Sequence, residues 1–270
     1  MSQSLTIEPR GPFSLRAAAE FGFGPNAGRP PAFDGAMRLA FAIDGGDGYA
    51  GVVIRQPRDD GALDCEVHTL ETADTGDLTP IERQLARVLS LDHDGGEFLV
   101  LGERDPVIGE LQRRHPGQRP VLFHSPYEAA GAVISARRQP AQAARLRREL
   151  GATLGRTFEL AGEAVVAFPQ PERLLEAVAL PELPEQKIVR LRGIGPFYAG
   201  LIVLRACGFA DALLALPEPH VLRHAARFYK LEGPPSLAEF TALAERWRPF
   251  RTWATVLLRL AGDREFGRGR

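Results

Sequence analysis

The stretch "LRGIGPFYAGLIVLRACG" (residues 191–208) decides our interpretation of the fold. Gly193 and Gly195 bracket one isoleucine, Pro196 follows, and the residues after it have the apolar spacing of a helix. The preceding "PEQKIVRL" also reads as helical. The pattern therefore predicts two helices joined by a tight Gly-Ile-Gly hairpin, in which glycine permits positive φ angles and close approach of a ligand to the main chain.

The start of the second helix suggests what such a ligand is. Unpaired backbone N–H groups and the positive end of the helix dipole suit a phosphate. One phosphate of a nucleic-acid backbone would fit against Gly193, Ile194 and Gly195. The Ile194 side chain would pack between the two helices. A dinucleotide-binding loop needs a preceding strand and a third glycine where Tyr198 stands, and this sequence has neither. A plain helix–helix turn without a ligand is the alternative.

Length and composition bound the class of protein. The chain has 270 residues, 44% of them hydrophobic and 25% charged, which predicts one large or two ordinary globular domains. No apolar run approaches the ~20 residues of a membrane span, and the N-terminus lacks the pattern of a secretion signal. Cys65 and Cys207 lie far apart, which excludes a disulfide scaffold or a four-cysteine metal site and favours a cytoplasmic location.

The charges are divided unevenly along the chain. Residues 1–120 carry 12 Lys and Arg against 19 Asp and Glu, whereas residues 121–270 carry 21 against 15. The net charge of −1 conceals this difference. A basic C-terminal half indicates a polyanionic partner, and an ordinary solvated surface is the alternative.

Residues 1–118 are predicted to form an α+β domain. Alternating apolar residues around positions 39–43, 49–53 and 63–67 predict a three-stranded antiparallel meander with one buried face. A capping box at Thr79-Pro80-Ile81-Glu82 and the pair Asp105-Pro106 predict the starts of two helices.

Residues 119–270 are predicted to form an all-α domain. A second capping-box pattern, Ser125-Pro126-Tyr127-Glu128, opens a helix. Short helical segments separated by Gly and Pro turns follow, and we find no strand alternation among them.

Four stretches of this second domain carry a family resemblance: "AFPQPERLLEA" (167–177), the opening stretch, "LPEPHVLRHAARFY" (216–229) and "AERWRPFRTWATVLLR" (244–259). In order and rough spacing they resemble the 3-methyladenine DNA glycosylase II branch of the helix–hairpin–helix DNA glycosylase superfamily. The resemblance implies an N-terminal antiparallel sheet similar to the TATA-binding protein fold, followed by an all-α helix–hairpin–helix glycosylase domain.

The resemblance implies an enzyme that flips a damaged nucleotide out of duplex DNA and hydrolyses its N-glycosidic bond. The transition state carries positive charge on the sugar, which a nearby carboxylate stabilises. Glu218 stands where the superfamily places its catalytic acid, five residues before Arg223. Asp211 is the second choice. The alternative role for Glu218 is a simple charge at a helix start.

The same comparison implies which residues hold the base. Bifunctional relatives, which also cut the strand, have a Schiff-base lysine just after the hairpin glycines, and here that position is Phe197. A monofunctional enzyme acting on alkylated purines of the 3-methyladenine type is therefore implied. Phe197 and Tyr198 become candidates for stacking on the flipped base, with ordinary core packing as the alternative.

Arginines are the candidates for DNA contact. Arg137 and Arg138 stand where the branch places the wedge that fills the gap left by the flipped base, and phosphate contact is their alternative role. Further phosphate candidates follow elsewhere in the basic half: Arg192, Arg223, Arg248 and Arg251. The arginines at 145, 147 and 148 are expected to form a solvated helix face.

The resemblance also implies the partners. Double-stranded DNA is the expected partner of a monomeric chain that needs no cofactor and no metal, and that lies in the cytoplasm, associated with the nucleoid when bound. His124, His220 and His224 make no convincing metal cluster.

Two departures from the family pattern motivate a rival. The superfamily uses Asp where this chain has Glu218, and an alignment shifted by one residue places Pro219 there instead. Only 22 positions separate Pro171 from Gly193, fewer than in the family. The rival is a catalytically silent protein that binds bent or damaged duplex, and a helical protein with no nucleic-acid role is the third possibility.

Overall fold

The N-terminal part of the chain is built on an antiparallel sheet. The computed structural model describes residues 2–21, 32–45, 48–70, 76–135, 140–177, 196–214 and 218–267. The sheet has four strands in the order β1-β4-β3-β2. Their bounds are β1 Ser2–Ile7, β2 Ala36–Ala42, β3 Tyr49–Arg55 and β4 Leu63–Leu70. The predicted meander is thus confirmed as β2-β3-β4, and β1 adds a fourth strand at the edge beside β4.

One face of this sheet packs on helices. Helix α1 (Leu15–Ala19) and helix α2 (Thr79–Val88) cover it. The buried side chains include Leu39 and Phe41 from β2, Val52 from β3, and Leu85 from α2. This arrangement is the buried face that the alternating pattern of the strands predicts.

The opposite face is buried as well, and the prediction of a single buried face is wrong. Strands β5 (Arg156–Leu160) and β6 (Glu163–Ala167) form a hairpin, and its Phe158 and Leu160 share a core with Tyr49 and Val53 of β3. Because β3 lies between the helices and this hairpin, its residues from Tyr49 to Ile54 are all buried.

The hairpin also overturns the all-α prediction for residues 119–270. Its two strands are joined by Ala161 and Gly162, which both have positive φ angles, 47° and 82°. A two-residue turn of this kind is typical of tight β-hairpins. The C-terminal part is therefore mixed, since a two-stranded sheet interrupts its helices.

The remaining regular secondary structure of the described chain is helical. After α2 come α3 (Gly95–Arg104), α4 (Pro106–Arg114), α5 (Pro126–Ser135), α6 (Pro140–Leu154) and α7 (Pro171–Ala177). The last four are α8 (Pro196–Ala206), α9 (Pro219–Phe228), α10 (Leu237–Ala244) and α11 (Arg251–Phe266), with a 3₁₀ turn at Glu245–Trp247 before α11.

The predicted helix starts have mixed outcomes. Asp105 caps α4, since its side chain accepts from the N–H groups of Val107 and Ile108. Ser125 caps α5 through the N–H of Glu128 at 3.2 Å. The capping box at Thr79 is wrong, because Leu78 is the N-cap and makes no side-chain cap bond.

A second core joins helices from both sides of the predicted boundary at 118/119. Phe98 of α3 and Ile108 of α4 share this core with Phe240, Trp247 and Trp253. The carboxylate of Asp105 strengthens the junction, because Tyr229 Oη donates to it at 2.7 Å and Trp247 Nε1 at 3.0 Å. The division into domains 1–118 and 119–270 stays a prediction, and the packing is continuous across it.

Candidate functional site

Glu218 lies at the start of α9, where a catalytic acid was expected. It is the N-cap residue, with φ −63° and ψ 132°, and its carbonyl accepts from Val221 N at 2.9 Å. Pro219 takes the first helical position, which suits its fixed φ. The Glu218 side chain makes no capping hydrogen bond. Its carboxylate therefore does not cap its own helix.

The partner of Glu218 is an arginine on α11. Arg259 Nε donates to Glu218 Oε2 at 3.0 Å, and Arg259 Nη2 donates to Oε1 at 3.1 Å. The Arg259 side chain is 13% exposed and that of Glu218 is 38% exposed. A two-point pair of this geometry is among the stronger charge-assisted hydrogen bonds in proteins. The Glu218 side chain thus remains partly exposed to solvent while both of its carboxylate oxygens are bound.

Arg259 is itself anchored. Its Nη1 pairs with Asp263 one turn further along α11, and Asp263 Oδ1 lies 3.0 Å from Nε2 of the buried His224. Burial lowers the pKa of His224, and the positive charges of Arg259, Arg227 and Arg223 lower it further. The interface of α9 and α11 thus carries a continuous row of polar contacts that begins at Glu218.

A second cation acts on Glu218 from α8. Arg205 donates from Nη2 to Val121 O at 3.0 Å, and its guanidinium lies 5.4 Å from the ring centre of Phe21. Burial lowers the pKa of Arg205 to about 10, and the negative charge of Glu218 opposes that shift. Arg205 is therefore still charged at neutral pH, and Glu218 lies in the field of two guanidinium groups.

Asp211, the second candidate acid, binds the residues at the start of α11. Its Oδ1 accepts from Arg251 Nε at 2.7 Å and from the Arg251 main-chain N–H at 3.3 Å, at the first residue of α11. Arg248 Nη1 donates to Oδ2 at 2.9 Å. Burial by itself would raise the pKa of Asp211, but the hydrogen bonds and charge of Arg251, with the charge of Arg248, lower it overall. Asp211 thereby secures the start of α11.

The predicted phosphate-binding arginines differ in how they are held. Arg248 and Arg251 both pair with Asp211, and Glu245 accepts from Arg248 Nε at 2.7 Å and from Arg251 Nη1 at 2.9 Å. A phosphate would have to compete with these carboxylates. Arg223 is exposed on α9 and donates to His220 Nδ1 at 2.9 Å. These three DNA-contact roles stay predictions.

Several candidate residues lie in the parts of the chain that the structure does not describe. The hairpin residues Arg192, Gly193, Ile194 and Gly195 and the two wedge candidates Arg137 and Arg138 lie outside the described residues. Helix α8 begins at Pro196, and the helix that the sequence predicts for the residues after this proline is confirmed. Phe197 lies in its first turn, and Tyr198 is half-buried. Their stacking roles stay predictions.

Sequence reasoning missed three charged residues that act on Glu218 directly or through a neighbour: Arg259, which binds its carboxylate, Asp263, which pairs with Arg259, and Arg205, whose charge interacts with that of Glu218. A signal for one of them was present. Arg259 interrupts the apolar run "TVLLRLAG" near the end of α11. A charged side chain within an apolar helical segment is rarely buried without a partner. The pattern predicts a buried ion pair, although it does not identify the partner.

The described part of the chain lacks both a metal-binding cluster and a membrane-spanning helix. No three His, Cys, Asp or Glu side chains in it are grouped closely enough to hold a metal ion. None of its helices combines the length and the apolar character that crossing a membrane requires.

Comparison with known sequences gives two similar proteins. No protein-family model matches the chain. Proteins from two strains of Mycobacterium tuberculosis, both described as "probable bifunctional transcriptional activator/DNA repair enzyme AlkA", are 27% identical to it over 255 residues. That alignment covers 82% of this chain and 49% of each relative. The chain spans about half the length of the curated relatives it matches.

Comparison with solved structures gives similar folds over nearly the whole chain. The 3-methyladenine DNA glycosylase from Archaeoglobus fulgidus has a TM-score of 0.72 at 21% identity and covers 98% of this chain and 100% of its own. A structure of MBOgg1 with a low-affinity DNA ligand has a TM-score of 0.66 at 18% identity, covering 98% and 96%. The 8-oxoguanine glycosylase/lyase of Clostridium acetobutylicum, bound to double-stranded DNA, has 0.62 at 15% identity, covering 98% of each chain.

Proposed function

Because this chain belongs to the helix–hairpin–helix DNA glycosylase superfamily, we propose that it is a DNA repair glycosylase. It hydrolyses the N-glycosidic bond of alkylated purines in duplex DNA, without cutting the strand. The observation that carries the proposal is the position of Glu218. Glu218 is the N-cap residue of α9, its carboxylate does not cap that helix, and its side chain is partly exposed to solvent.

The chemistry requires a negative charge near the reacting sugar. As the bond to the base breaks, positive charge develops on the sugar, and a fixed carboxylate lowers the energy of that transition state. Glu218 supplies this charge and can also orient the attacking water. The flipped base stacks on Phe197 and Tyr198 at the start of α8. Because electron-poor alkylated purines stack well on aromatic rings, this pocket favours them.

Phe197 supports a monofunctional reaction. A lyase step needs an amine nucleophile to form a Schiff base with the sugar. Phenylalanine cannot form one, so water is the nucleophile and an abasic site is the product. The 8-oxoguanine neighbours are named as glycosylase/lyases, so the absence of strand cutting is a specific expectation for this chain.

One observation favours a second candidate function. Both oxygens of Glu218 are bound by Arg259, which offsets the charge that the reaction needs. A protein in which a fixed ion pair offsets the charge of the catalytic acid would bind damaged duplex without releasing a base.

Base release from methylated duplex DNA distinguishes the two candidates. Wild type is compared under single-turnover conditions with Glu218→Gln, which removes the charge and keeps the shape, and with Glu232→Gln at the exposed turn beyond α9. We expect wild type to release 3-methyladenine or 7-methylguanine, Glu218→Gln to lose ~10²-fold or more in rate, and Glu232→Gln to match wild type. Borohydride should trap no protein–DNA adduct.

The contrary results are equally specific. If wild type binds methylated duplex but releases no base, the silent DNA-binding protein is correct. If Glu218→Gln retains the full rate, the glycosylase remains and Glu218 is only a charge at a helix start. Strand cutting would disprove the monofunctional assignment.

A further inference from the structure

We infer that Arg259 restrains the charge of Glu218, so that removing the guanidinium speeds base release. The inference rests on the proposed glycosylase function and adds a residue that lowers the rate of base release. It comes from the two-point ion pair between α9 and α11, at 3.0 and 3.1 Å, which engages both carboxylate oxygens.

The physical reason lies in how the two charges act together on the reacting sugar. An isolated carboxylate attracts a developing positive charge with an energy that falls as the inverse of the distance. A carboxylate bound by a guanidinium acts as a dipole, whose attraction is weaker and falls faster. Arg205 adds a second positive charge in the field of Glu218. The transition state therefore receives much less stabilisation than Glu218 alone would provide.

Arg259 is held in this position by its other contacts. Its Nη1 pairs with Asp263, which is itself held by the buried His224. The side chain is only 13% exposed. Since the guanidinium is anchored on the side away from Glu218, it cannot swing freely into solvent, and the restraint is part of the packing of α9 against α11.

A positioning role for Arg259 makes the opposite prediction. If Arg259 served only to aim the longer Glu218 side chain at the sugar, removing it would slow the reaction. The direction of the rate change therefore separates restraint from aiming. Simple loss of structure would also slow the reaction.

The test measures single-turnover base release from methylated duplex by wild type and Arg259→Met, which is similar in length and uncharged. We expect Arg259→Met to be about tenfold faster or more, on the scale that single electrostatic groups contribute to catalysis. Arg259→Lys keeps the charge and should stay near wild type. Arg264→Met is the matched control, because Arg264 lies on the same helix and contacts Glu20 O and His115 instead.

A second background shows whether the guanidinium charge itself opposes the reaction. In Glu218→Gln, adding Arg259→Met should raise the rate by a similar factor, because the repulsion between the guanidinium and the sugar charge adds to the attraction by the carboxylate. Both variants that lack the Glu218 carboxylate should stay slower than their counterparts that keep it. Equal duplex affinity and equal melting temperature of the variants exclude a change in binding or folding as the cause. A loss of rate on adding Arg259→Met in either background would overturn the inference.

Each combination of rates decides both proposals. Slow release by wild type and faster release by Arg259→Met support both. Release by wild type with no gain in Arg259→Met overturns the restraint and leaves the glycosylase. Release by Arg259→Met alone supports the restraint and disproves activity of the wild-type chain. No release by either protein overturns both.

Discussion

At the scale of single residues, the absence of a side chain at Gly262 sets how closely α9 and α11 pack. A Cβ at this position would lie 2.2 Å from Cγ of His224, which is far inside van der Waals contact. His224 is 3% exposed, and its Nε2 holds Asp263. Because Asp263 anchors Arg259, the small volume of Gly262 is a condition for the whole row of contacts that reaches Glu218.

Substituting Gly262 by alanine should therefore destabilise the protein. Overpacking of this kind costs about 1–3 kcal/mol, since the His224 ring has to move within a packed interface. Thermal and urea unfolding measure the change. Gly233→Ala is the control, because nothing lies within 4 Å of a Cβ at that position, and its stability should be unchanged or slightly raised. Equal stability of the two variants would contradict the role given to Gly262.

At the scale of elements, the hairpin β5–β6 turns a half-exposed sheet into a layer buried on both sides. Gly51 of β3 lies directly under Phe158, and a Cβ there would come within 2.6 Å of the Phe158 ring. Arg38 of β2 adds a hydrogen bond from Nε to Leu160 O at 3.1 Å. The hairpin thus links the N-terminal sheet to a segment more than 100 residues further along the chain.

Phe158→Ala should loosen this layer. Removing a buried phenylalanine leaves a cavity and costs about 3–5 kcal/mol. Unfolding by urea measures the loss, and Glu159→Ala, one residue further along the same strand and exposed, should change stability by less than about 0.5 kcal/mol. A small loss for Phe158→Ala would show that the hairpin adds little to the stability of the sheet.

The sequence predicted two helix starts correctly but did not predict the hairpin β5–β6, and the difference has a physical reason. Asp105-Pro106 and Pro196 start helices as expected, because a cap and a fixed φ act within a few residues. The strand pattern in "RTFELAGEAVVA" was overlooked, although Phe158 and Leu160 alternate with polar residues and Ala161-Gly162 supplies the turn. Two short strands are marginal by themselves, and only contact with β2 and β3 makes them stable.

At the scale of the whole molecule, helix α11 belongs to both large cores. Trp253 and Leu257 pack with Phe98 of α3, whereas Leu260 packs with the sheet and α2. A helix that faces two cores leaves few positions for charge, and Arg259 occupies one of them. The geometry of Glu218 therefore depends on how the N-terminal and C-terminal parts pack together.

The uneven charge of the chain predicts how duplex binding depends on salt. If the basic C-terminal half contacts phosphates, bound counterions are released, and affinity should fall by roughly 10³ or more between about 50 and 200 mM salt. Arg223→Ala should reduce the slope of this dependence by about one phosphate contact. Arg145→Ala, an exposed arginine paired with Glu149, is the control and should leave the slope unchanged.

Fluorescence anisotropy with an undamaged duplex measures these slopes. An affinity that does not change with salt would support the helical protein with no nucleic-acid role. Equal slopes for Arg223→Ala and wild type would remove Arg223 from the DNA-contact surface and leave the other arginines as candidates.

The sequence by itself determined the features that depend on neighbouring residues. These are the antiparallel meander, the helix that begins at Pro196, and the placing of Glu218 at the start of a helix, since caps, proline φ angles and side-chain alternation act over a few positions. The tertiary structure alone decided which cation binds Glu218. Arg259 lies 41 residues away, and only the packing of α9 against α11, with a glycine at 262, brings the two side chains together.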